Sequence, residues 1–133
     1  MITEHIQPKA IVTIMPYRAE VALFASGEKM KWYFRDKLEI EVVGAEASYG
    51  CAFYDKDENG VVWFGLSIED DANLTTLVHE CSHVVDFVFD AFGVPCGTEN
   101  TEVRAYTMAE LIGDVADVFG FSLARNNTAK ASG

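Results

Sequence analysis

Residues Asn73 to Gly93 read NLTTLVHECSHVVDFVFDAFG. Leu74, Leu77, Val78, Cys81, Val84, Val85, Val88 and Phe92 recur at helical spacing and form one apolar stripe. Asn73 is suited to cap the start, after Asp70 and Asp71, whose charges favour the positive helix end. Gly93 closes the helix and Pro95 lies just beyond. At about 100° per residue, His79 and His83 fall opposite the stripe. Residues four apart sit one above the other, so both imidazoles can reach a single metal ion. Glu80 lies beside them and can take a proton from metal-bound water. A histidine pair buried only for packing would sit within the stripe.

A catalytic zinc usually has three protein ligands and one exchangeable position. The chain after Gly93 is long enough to turn and return as an antiparallel helix, from near Thr98 or Asn100 to Phe119, before Gly120. Its expected apolar stripe is Ala105, Met108, Ala109, Ile112, Val115, Ala116 and Phe119. Glu102 lies at the edge of that stripe and is the candidate third ligand. Glu99, in the preceding loop or at the helix start, is the alternative. Asp86 and Asp90 follow the motif on the same helix and suit hydrogen bonds to the ligand histidines. A metzincin would need glycine and then histidine or aspartate where Asp86 and Phe89 stand. His5 reads as solvated.

Upstream, Ala10–Met15 and Glu20–Ala25 read as strands, Glu28–Leu38 as a short helix with Met30, Tyr33 and Phe34 on one face, and Leu38–Val43 as a further strand. Tyr49–Tyr54 and Val61–Leu66 form the clearest strand pair, joined through Asn59-Gly60, a hairpin signal. The acidic stretch Asp55–Glu58 lacks the spacing and distal glutamate of a calcium loop and reads as a solvated turn. The expected fold is therefore α+β: a small, mostly antiparallel sheet packed against two antiparallel helices. Residues 1–123 form one domain, and 124–133, small and polar, a frayed tail.

The chain has 133 residues, half of them apolar, and a formal net charge of −11. That charge argues against nucleic acid or an anionic membrane surface as partner. Three unpatterned cysteines, Cys51, Cys81 and Cys96, form no disulfide framework and read as buried thiols. Neither a secretory signal nor an apolar run of membrane-spanning length is visible, so a cytoplasmic protein is expected.

His79-Glu80-Cys81-Ser82-His83, followed by Glu102-Val103-Arg104-Ala105-Tyr106, resembles the HExxH…ExxAY pattern of small zinc-metallopeptidase-like proteins encoded by bacteriophages and prophages. The order of strands, motif helix and glutamate helix is similar to a minimal gluzincin and, in broad plan, to ImmA/IrrE-like peptidases. The resemblance is specific over Leu74–Leu111. It implies Zn2+ held by His79, His83 and Glu102, Glu80 as general base, and Val61–Leu66 as an edge strand that pairs with a peptide or protein substrate. Phage encoding would place the protein in a bacterial host's cytoplasm. Tyr106, one turn from Glu102, either helps orient it, stabilises an oxyanion or is a tyrosine at the core edge. Larger gluzincins often show ExxxD on the glutamate helix and carry a second lobe. Here Tyr106 occupies that aspartate position, and the chain ends soon after Phe119. A catalytically silent zinc protein, accessory or regulatory, is the competing expectation.

Overall fold

A computed structural model describes residues 6–44, 49–95 and 97–123. The element order is β1 (Ala10–Ile14), β2 (Ala19–Phe24), α1 (Gly27–Leu38), β3 (Gly50–Lys56), β4 (Val62–Ile68), α2 (Leu74–Ala91), a 3-10 turn (Thr98–Asn100) and α3 (Thr101–Phe119). The four strands form one sheet in the order β1-β2-β4-β3. The β1–β2 and β3–β4 pairings are antiparallel, and β2–β4 is parallel. The α+β class and the largely antiparallel pairing match the sequence reading.

The sheet is covered on both faces. Val21 and Leu23 of β2, with Phe64, Leu66 and Ile68 of β4, pack with α2 and α3. Ala22 and Phe24 turn the other way, onto Met30 and Phe34 of α1. Double coverage explains why β2 and β4 are apolar almost throughout, without the alternation of a half-solvated strand. Gly65 lets α1 approach, because a Cβ there would stand 2.8 Å from Phe34 Cε2. The expected plan packed two antiparallel helices against the sheet; α1, expected as a helix but not placed, adds a third layer.

Two expectations about strands are corrected. Leu38–Val43 forms no strand: α1 runs to Leu38, and Glu39 turns the chain in a left-handed conformation at φ 56°. Ile40 and Val42 are buried beside α1 without joining the sheet, so their alternation reflects packing rather than pairing. Val61–Leu66 does not supply an edge. β4 runs between β2 and β3, which leaves β3 as the outer strand beside α2.

The hairpin closes as expected. Asp57 accepts hydrogen bonds from the backbone N–H of Asn59 and Val61 and from Trp63 Nε1. These bonds, Trp63's first, hold its carboxyl below the usual range. Its acceptors therefore serve the turn, in keeping with a structural role for the acidic stretch.

Asn73 caps α2 by accepting from Thr76 N–H at 3.0 Å. Leu77, Cys81, Val84, Val85, Val88 and Phe89 are buried on the sheet. Phe89, not Phe92, is the aromatic of the core face; Leu74, Val78 and Phe92 are exposed at its margin. α3 returns antiparallel, with Arg104 near its start meeting Asp86 and Phe119 at its end beside Ala72. Its buried residues are Thr107, Leu111, Val115 and Ala116, while Ala105 and Ala109 are exposed. α3 is thus rotated relative to the expected stripe. The Thr107 hydroxyl donates to Val103 O at 2.8 Å, which permits a polar residue on the buried face. His5, Cys96 and the tail from Ala124 lie outside the described residues.

Candidate metal centre

The two motif histidines converge. His79 and His83 stand one turn apart on the exposed face of α2, with their Nε2 atoms 3.2 Å apart. The rings meet edge to face, with centroids 4.7 Å apart and planes at 84°. Ligand nitrogens about 2.0–2.1 Å from a tetrahedral zinc are about 3.3 Å from each other. The spacing therefore fits two ligands of one ion. It also suits a hydrogen bond between two neutral imidazoles, one donating and one accepting.

Glu80 is partly buried between α2 and the start of β3. A shallow cavity of about 250 Å³ runs there, lined by Tyr49, Gly50, Thr75, Thr76, His79 and Glu80. Gly50 makes this close approach possible. A Cβ at that position would stand 2.9 Å from both Glu80 Cγ and Thr76 Cγ2. Cys81, inside the motif, faces the core, and burial pushes its thiol up to about 12, with the Glu80 charge adding to the effect.

The remaining expected residues are not gathered with this pair. Glu102 is exposed in the first turn of α3, and Glu99 is exposed in the 3-10 turn before it. Tyr106 is 70% exposed. Among the described residues, no group of three histidine, cysteine, aspartate or glutamate side chains is placed to hold a metal ion. The inward positions of α3 are taken by Thr107, Leu111 and Val115. Asp86 and Asp90 also have other partners. Asp86 Oδ1 accepts from Arg104 at 2.7 Å, and Asp90 accepts from the Tyr54 hydroxyl. That bond, together with some burial and the charges of Asp90 and Asp55, raises the Tyr54 pKa.

No family model, curated protein or solved structure matches the chain. Two imidazoles fit a zinc ion in type and separation, a carboxylate lies next to them in sequence, and a cleft opens at one side. Tyr54, Gly50 and Phe87 are the site residues that the sequence reading missed. Phe87 had a readable signal, since it lies four residues beyond His83. Tyr54 and Gly50 reach the site only through the position of β3.

No helix among the described residues is long and apolar enough to cross a membrane.

Proposed function

We propose that the chain is a zinc-dependent metallopeptidase-like protein that hydrolyses peptide bonds, with His79 and His83 holding the metal and Glu80 as general base. The observation that carries this reading is the 3.2 Å approach of two imidazole nitrogens, with Glu80 at the adjoining cleft. Bound zinc supplies a Lewis acid that polarises a carbonyl and makes water acidic near neutral pH. Glu80 takes the proton of the attacking water and hands it to the departing amine nitrogen. An extended substrate suits the outer edge of β3. The pairing of Tyr49 O with Glu69 N–H and of Asp57 N–H with Val61 O sets the ladder phase, so Ala52 and Tyr54 turn their backbone polar groups away from β4. The resemblance assigns the third ligand to Glu102; the geometry of α3 lends that assignment no support, and the zinc reading rests on the imidazoles. Tyr106, exposed as it is, has no geometric support as a catalytic group either. A cytoplasmic setting, that of a bacterial host if the chain is phage-encoded, agrees with its sparse cysteines.

The test is zinc analysis and peptide-library cleavage with wild-type protein and Glu80→Gln. Glu80→Gln should keep its zinc and lose hydrolysis. Undiminished cleavage by that variant removes Glu80 as the base, and a wild type that takes up no zinc removes the whole reading.

A second reading is favoured by the lack of a third ligand among the described residues: a catalytically silent zinc protein, accessory or regulatory. In that case, chelation lowers the melting temperature and no peptide is cut by the zinc-loaded chain.

A further inference from the structure

The carboxylates expected to orient the histidines are committed elsewhere, Asp86 to Arg104 and Asp90 to Tyr54. An aromatic ring instead faces one of the two imidazoles. Phe87, one turn beyond His83, lies nearly parallel to its imidazole, with centroids 6.1 Å apart and planes at 18°. Tyr54 of the outer strand lies against Phe87 at 4.6 Å and 25°. Tyr54 is in turn parallel to Phe64 of β4, at 6.0 Å and 8°. Phe64 is buried in the sheet, so the row is anchored at its inner end, and Tyr54, in the middle of the row, also donates a hydrogen bond to Asp90 of α2.

An imidazole on an exposed helix face has a broad, soft χ2 torsion. Chelation needs Nε2 of His83 turned toward His79, and holding it there beforehand removes part of the ordering cost of binding. We infer that Phe87, backed by Tyr54, is a positioning residue that orients the His83 ring for metal binding by stacking. This rests on the reading of His79 and His83 as the metal pair. Phe87 touches neither metal nor substrate; it acts through His83.

The test uses the full chain in two measurements. In the metal-free wild type, NMR should show cross-relaxation between the ring protons of His83 and Phe87; its absence overturns the inference. Zinc affinity is then measured by chelator competition. Phe87→Leu, which keeps bulk but not the flat ring, should weaken binding about tenfold. Phe87→Tyr, which restores the ring, should stay within about twofold of wild type. Tyr54→Phe, which keeps the ring and loses only the hydroxyl, should do likewise. Wild-type affinity in Phe87→Leu overturns the inference, as does equal loss in Phe87→Leu and Phe87→Tyr. A wild type with ring–ring contact but no zinc uptake sinks the metal reading while upholding the stacking of His83 on Phe87.

Discussion

The two long helices treat their candidate residues in opposite ways. α2 buries Leu77, Cys81, Val84, Val85, Val88 and Phe89 and holds His79 and His83 together on its outer face. α3 buries Thr107, Leu111, Val115 and Ala116 and leaves Glu102 and Tyr106 in solvent. The difference is one of scope. A pair of residues within a single helix is brought together by the helix itself. A contact between helices depends on the rotation of the second about its own axis, and that is set by everything it packs on. α3 packs on β1 as well as α2, and the Arg104–Asp86 ion pair joins the two helices near the start of α3.

The sharpest challenge to this contrast is at the core of α2. Phe89→Ala should cost about 3–5 kcal/mol in chemical denaturation. A loss below about 1 kcal/mol would mean that α2 does not rest on the sheet through that face. Metal affinity comes next. His79→Ala should weaken zinc binding more than about 100-fold, beyond what residues behind the ligands usually contribute. Glu102→Ala should change it by less than about tenfold. Equal losses in titration calorimetry would put α3 in the site and erase the difference between the helices.

Gly50→Ala probes how tightly α2 lies on the outer strand. The added methyl meets Glu80 and Thr76 at 2.9 Å, so a cost of about 1–3 kcal/mol is expected, with Glu80 displaced. Unchanged stability and unchanged zinc affinity would show that the approach is loose.

The smallest effect belongs to α3. Burial, with Glu110 and Asp117 adding to it, raises the Asp114 pKa. The folded value lies above the unfolded one, so ionised Asp114 opposes folding. That penalty is absent below the ordinary aspartate range and complete once pH exceeds the raised value. Asp114→Asn should raise the melting temperature at pH 7 by about 2 °C, with no gain at pH 3. A gain of equal size at both pH values would point to packing rather than charge.

Much of the fold was legible because its signals are local. Asn73 and Gly93 bracket α2, Gly120 closes α3, and Asn59-Gly60 lies in the hairpin turn. The order of strands was not legible. A run such as Val62–Ile68 has the same letters whether it lies in the middle or at an edge, and only its pairing to β2 makes it internal. Ile40 and Val42 misled for a related reason: alternation reports burial, and they are buried without a partner strand. At the candidate site, the imidazole pair could be read from one helix. The Tyr54–Phe87 stack could not, because it joins residues from different elements.

The thiol of Cys81 has a practical consequence. It sits between the two imidazoles in sequence yet faces inward, sealed from water and protonated at any ordinary pH. An alkylating reagent can reach it only when α2 lifts from the sheet. Its labelling rate thus serves as a clock for that opening, built into the motif without an added probe. Running the clock with and without zinc would reveal how far a cation on the outer surface restrains the helix beneath it.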